Sequence, residues 1–150
     1  GKAGLFACTP RAVMAILDHY KIPIDGKKAV IIGRSNVIGK PVSLMLLSKN
    51  ATVTICHSHT KDIASITREA DILVAAVGHA NHVTADMVKE GATVIDVGIN
   101  RVDGKTVGDV DYEAVAAKAG AITPVPGGVG SVTTTMVIEN IIAAGEKLAK

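Results

Sequence analysis

Aromatic side chains are nearly absent from this 150-residue chain, which has no tryptophan, one phenylalanine and two tyrosines. Phe6, Tyr20 and Tyr112 stand far apart, so the platforms on which proteins stack single-stranded bases are missing. A basic excess is missing too, because 16 basic residues are balanced by 14 acidic ones spread along the chain. No nucleic-acid partner is expected. Cysteine is scarce: Cys8 and Cys56 are too few and too far apart for a disulfide framework or a CxxC site. Two reduced thiols in a cytoplasmic protein are expected instead. Apolar residues make up 48% of the chain, yet no run approaches the roughly 20 residues of a membrane span. Gly1-Lys2-Ala3-Gly4 leads into no signal segment. With no initiator methionine, the chain reads as if cut from something longer.

What is present is a repeating cycle of short apolar runs and helical stripes. Thr9 is placed to cap a helix from Pro10 to about Tyr20, with Val13, Ile16 and Leu17 on its inner face. Lys28 to Ile32 is β-branched, short and ended by Gly33, as a buried parallel strand would be. The cycle continues with strands at 51–56, 71–77, 92–97 and 121–123. Helices are expected at 41–49, 61–70, 84–90, 111–119 and 132–150. Alternation of this kind predicts an α/β fold, a doubly wound parallel sheet with helices on both faces. Such sheets bind ligands beyond the carboxyl ends of their strands.

Three segments at those ends carry candidate chemistry. Gly33-Arg34-Ser35-Asn36-Val37-Ile38-Gly39 joins the first strand to a helix N-terminus, where free N–H groups and the helix dipole favour a phosphate. Its spacing matches neither G-x-G-x-x-G nor the Walker loop. The second strand ends in Cys56-His57-Ser58-His59-Thr60, without the carboxylate that usually accepts from the ribose of NAD. Hydroxyl and imidazole groups near Arg34 suit a 2′-phosphate, so NADP is favoured. Thr123-Pro-Val-Pro-Gly-Gly-Val-Gly130 is a rigid, irregular strip suited to wall a cleft. His57, His59, His79 and His82 lie among no clustered cysteines or carboxylates, so no metal site is expected. Asp96 is read as holding a loop.

These segments, with Cys8-Thr-Pro10, Val94-Ile-Asp-Val-Gly-Ile-Asn100 and Val107-Gly-Asp-Val110, resemble the methylenetetrahydrofolate dehydrogenase/methenyltetrahydrofolate cyclohydrolase family over nearly the whole chain. The resemblance implies a Rossmann-like NADP-binding domain in an enzyme of one-carbon metabolism. That enzyme would oxidise 5,10-methylenetetrahydrofolate by hydride transfer to NADP, then hydrolyse the methenyl product to 10-formyltetrahydrofolate. Carried over by position, Thr9, Gly33, Arg34, Ser35, Ser58, Ile99 and Thr133 would contact the cofactor. Pro126, Gly127, Gly128, Val129 and Gly130 would close over the folate.

The match also has departures. Arg11, Ser131-Val132 and Ile38 replace residues usual in the family, and family enzymes carry their catalytic Lys, its Tyr partner and a folate-holding Asp in an N-terminal domain. That domain is absent here, and none of the lysines sits in the family's catalytic motif. No catalytic residue is therefore assigned in this chain, and residues 1–20 are expected to lead in from the missing domain. The chain alone is expected to bind NADP weakly and turn over little. A homodimer is expected by the same resemblance. A free-standing NADP-sensing module is the competing reading.

Overall fold

The computed structural model describes residues 5–149. Five parallel strands form its centre: β1 (Lys28–Ile32), β2 (Thr52–Cys56), β3 (Ile72–Ala75), β4 (Thr93–Asp96) and β7 (Ala121–Ile122). They lie in the order β2-β1-β3-β4-β7. The chain reverses direction across the sheet between β1 and β3, which makes that gap the topological switch point.

Strand periodicity builds two cores. Ala29 and Ile31 of β1, Ile72 and Val74 of β3, and Ile95 of β4 face one side. There they meet α1 (Cys8–His19), α2 (Gly39–Leu47) and α5 (Val129–Leu148). Val30, Ile32, Leu73, Ala75 and Val94 face the other side. They are covered by α3 (Ile63–Thr67), α4 (Tyr112–Ala116) and a 3₁₀ turn at Ala85–Met87. Each fully buried Val, Leu or Ile contributes about 1.5–3 kcal/mol, so these two layers dominate the stability.

Several expectations need correction. Thr9 does not cap α1; the helix starts at Cys8, two residues earlier than expected, Ala7 is its N-cap, and no side chain caps it. Helix α2 begins at Gly39, before Pro41, and α5 begins at Val129 rather than Val132. The proposed ends at residues 1–4 and 150 lie outside the described residues. Thr84 gives no cap to the turn it precedes; its hydroxyl donates to the Asp86 carboxylate instead. β2 is not apolar on both faces, because it is an edge strand with Thr52, Thr54 and Ile55 exposed. Cys56 is buried, which pushes its thiol up, whereas Cys8 is only half-buried.

One element is new. β5 (Asn100–Val102) and β6 (Lys105–Val107) form an antiparallel hairpin after β4. Its two-residue turn is Asp103-Gly104, with φ of 48° and 76°. Positive φ at both central residues is the mirror-image turn that Asp-Gly favours.

Candidate functional site

The first turn sits at the switch point, closed by contacts that only glycine permits. Gly33 has φ 125°, and a Cβ there would lie 2.2 Å from the Ala76 carbonyl oxygen beyond β3. A Cβ on Gly39 would lie 2.1 Å from the Gly33 carbonyl oxygen. Gly39 is therefore demanded by the turn's own closure. The Gly33 N–H donates to the Cys56 carbonyl at 2.8 Å, which fixes the turn against the end of β2.

Ser35 closes the turn from within. Its Oγ accepts from the N–H groups of Ile38 at 3.0 Å and Gly39 at 3.4 Å, and its carbonyl accepts from the N–H of Lys40 at 3.1 Å. The N-terminus of α2 is thus already satisfied from within. The open donors lie earlier: among the described residues, the N–H groups of Arg34, Ser35, Asn36 and Val37 have no acceptor. These four and the Ser35 hydroxyl proton are the donors this turn leaves open.

Arg34 is exposed, and among the described residues its guanidinium has no partner. Across the strand ends, His57 to Thr60 forms a tight turn, with the Thr60 N–H donating to the His57 carbonyl at 2.8 Å. His57 Nδ1 accepts from the His59 N–H at 3.2 Å, so only Nε2 of that ring is left to donate outward. Ser58 is exposed at the tip, and its hydroxyl engages nothing among the described residues. Free guanidinium and hydroxyl groups beside an N–H rim, with no acceptor carboxylate on that turn, are donor chemistry for a phosphate monoester.

The second part of the site is a cavity of about 180 Å³ between the loop after β4 and the strip before α5. Ile99 lines it together with Pro126, Gly127, Gly128 and Gly130. Ile99 is 69% exposed, and its Cδ1 would be 3.7 Å from a Cβ built on Gly130. The Val125–Pro126 peptide is cis. The Val129 side chain is buried in the core, and the residue is not among those lining this cavity. Thr9 and Thr133 are half-buried on α1 and α5, and the Thr133 hydroxyl donates back to the Val129 carbonyl at 2.9 Å. Neither threonine lines this cavity.

Behind the cavity lie two buried carboxylates whose role sequence reasoning only partly saw. Asp96 Oδ1 accepts from the N–H groups of Gly98 at 2.9 Å and Asp109 at 3.0 Å, and Oδ2 accepts from the N–H of Val110 at 2.9 Å. Burial pushes the Asp96 carboxyl above the usual range, while these three donors act in the opposite direction. Asp109, fully buried, accepts from the N–H groups of Val77 at 2.7 Å and Gly78 at 2.9 Å through Oδ2. Its Oδ1 takes the N–H of His79 at 3.0 Å and the Asn100 amide at 2.9 Å. The only advance signal for Asp109 was its place in Val107-Gly-Asp-Val110. Among the described residues no group of histidines, cysteines and carboxylates is arranged to hold a metal ion, and no helix is long and apolar enough to cross a membrane.

Residues 7–149 match the tetrahydrofolate dehydrogenase/cyclohydrolase NAD(P)-binding domain family. The chain belongs to this family. A relative in Burkholderia thailandensis, the bifunctional protein FolD, is 61% identical over 150 residues, which are 99% of this chain and 53% of that protein. The crystal structure of the bifunctional FolD methylenetetrahydrofolate dehydrogenase/cyclohydrolase from Campylobacter jejuni is 51% identical, with a TM-score of 0.94. It covers 97% of this chain, which spans 52% of that one. The Trypanosoma brucei enzyme, solved with NADP cofactor and an inhibitor, is 40% identical over 95% of this chain and 51% of its own, with a TM-score of 0.89. This NAD(P)-binding domain thus spans about half the length of the relatives it matches.

Proposed function

We propose that this domain binds NADP as the cofactor half of a bifunctional folate enzyme. The whole enzyme oxidises 5,10-methylenetetrahydrofolate and hydrolyses 5,10-methenyltetrahydrofolate to 10-formyltetrahydrofolate. The activity rests on relatives named as methylenetetrahydrofolate dehydrogenase/cyclohydrolases. The cofactor choice rests on one observation: an unpartnered Arg34 and an unengaged Ser58 hydroxyl flank strand ends that carry no acceptor carboxylate. NADP supplies the hydride acceptor. Arg34 and Ser58 hold its 2′-phosphate, while Gly33 and the rim through Ser35 hold the pyrophosphate. Ile99 packs beside the nicotinamide end, and Thr9 and Thr133 border the site from α1 and α5.

The strip Pro126-Gly127-Gly128-Val129-Gly130 closes over the folate through its backbone. No residue of this chain is assigned as the catalytic acid or base. Proton handling belongs to the further domain that the longer relatives accommodate, since hydride transfer needs both reactants oriented together. The chain by itself is therefore expected to bind cofactor and turn over little.

The assembly proposed is a homodimer in the cytoplasm. Leu44 and Leu47 are exposed on α2 and Val37 on the turn before it, and Ile55 is exposed on the neighbouring edge strand β2. Such a patch suits a two-fold contact with a second copy of itself. Replacing both Leu44 and Leu47 with Glu should convert a dimer to monomer in sedimentation; an unchanged sedimentation coefficient would remove α2 from the contact.

Calorimetric titration with NADP and NAD tests the cofactor reading. Wild type should prefer NADP. Arg34→Ala should lose about 2 kcal/mol of NADP binding, the scale of a charge-assisted hydrogen bond, and leave NAD nearly unchanged. Equal losses for both nucleotides would place the Arg34 guanidinium away from the 2′-phosphate.

A further inference from the structure

Ile99 is a large apolar side chain standing in solvent, yet the residues on both sides of it are tethered. On one side, the Gly98 N–H is fixed by Asp96 Oδ1. On the other, the Asn100 side-chain amide donates to Asp109 Oδ1. The two residues are themselves joined, because Asp96 Oδ1 also accepts the Asp109 backbone N–H. Space between them is tight: a Cβ on Gly98 would meet Asp109 Oδ1 at 2.1 Å, and one on Gly108 would meet Asp96 Oδ2 at 1.9 Å. Asp109 reaches further, to the N–H groups of Val77, Gly78 and His79 just beyond β3.

We infer that Asp96 and Asp109 are positioning residues that hold Ile99 against the Pro126–Gly130 strip and so form the apolar shelf on which the nicotinamide end of the dinucleotide rests. Burying two carboxylates for fold stability alone is a poor exchange, since apolar residues fill such space at less desolvation cost. Their seven accepted hydrogen bonds instead converge on the loops that border the cleft. An isolated exposed Ile gains nothing from being aimed, but one aimed across a cavity offers a flat ring a defined apolar contact.

This inference rests on the dinucleotide reading of the cleft, and its test separates the two. The full chain would be titrated with NADP and with adenosine 2′,5′-bisphosphate, which keeps the adenine ribose and its phosphates but has no nicotinamide. Asn100→Ala removes only the side-chain tether and leaves both carboxylates with all their backbone donors. Asp109→Asn, the harsher change, sets an amide N–H₂ against backbone N–H donors.

Asn100→Ala should weaken NADP about threefold and Asp109→Asn about tenfold or more, the range of a lost charge-assisted hydrogen bond. The bisphosphate should stay within about twofold for Asn100→Ala, a change too small to count as a lost hydrogen bond. If Asp109→Asn fails to fold, Asn100→Ala alone decides the matter. Should Asn100→Ala bind both ligands as wild type does, or weaken both equally, the positioning role is overturned while the cofactor site stands. Wild type that bound neither ligand would overturn both.

Discussion

The glycines of the first turn act through space more than through torsion. Gly39→Ala places a Cβ 2.1 Å from the Gly33 carbonyl oxygen and 3.0 Å from the Arg34 Cα. Both neighbours are backbone, so nothing can swing away, and a cost of about 3 kcal/mol is expected. Gly26 is the useful contrast, since at φ 70° a Cβ there meets nothing within 4 Å. Gly26→Ala should cost only its torsional strain, about 1 kcal/mol. Urea denaturation of the two variants measures the difference, and equal losses would refute the packing account. From sequence, both Gly33 and Gly39 were legible as special, but the reason for Gly39 was not. That reason depends on the approach of residue 39 to residue 33, which no local pattern reveals. The same holds for Ser35, whose Oγ turns inward to the α2 N-terminus.

Between elements, Asp71 links three pieces of chain at the amino end of the sheet. Its Oδ2 accepts the Lys28 N–H at 3.0 Å where β1 begins, and its Oδ1 pairs with the Lys89 ammonium ahead of β4. The Lys89 hydrogen bond, then that from Lys28, holds the Asp71 carboxyl below the usual carboxylate range. Because the folded value lies below the unfolded one, the linked stability is fully present above about pH 4. It is lost as the pH falls through the lower folded value. Asp71→Asn keeps an acceptor for Lys28 but loses the ion pair, so it should cost about 1 kcal/mol at pH 7. The gap between variant and wild type should close in acid, as denaturation curves at pH 7 and pH 2 would show; a gap that persisted at pH 2 would contradict this account.

The main elements themselves were legible, because buried strands with alternating inward faces leave apolar runs that glycines punctuate. β1 was bounded correctly at both ends, while the helices differed mostly at their termini. The β5–β6 hairpin was missed although Asp103-Gly104 announces it. Its strands are three residues long and half polar, so the turn was the whole signal. The Asp96–Asp109 pair was hidden for another reason: its partners lie up to 32 residues away and most are backbone.

Across the whole molecule, the two core layers are completed unequally along α5. Its first turns enter the core through Val129 and Met136. Further on, Asn140 donates to the Phe6 carbonyl at 2.8 Å, and Arg11 reaches from α1 to both Asn140 and Glu139. Beyond that clasp the helix leaves the core, and Glu146 to Leu148 are exposed. A helix end without tertiary cover is marginal in water. Ending the chain at Gly145 should therefore change stability by less than about 1 kcal/mol, whereas Met136→Ala should cost about 2–3 kcal/mol. Arg11→Ala should lie between them at about 1 kcal/mol, because the clasp is only partly buried. Hydrogen exchange gives an independent reading of the same gradient. Amides near Met136 should exchange only on global unfolding, and those near Leu148 should exchange by local fraying. If the last turn were protected as strongly as the first, the end of α5 would have to be held by contacts outside the clasp, and the truncation would then be as costly as opening the core.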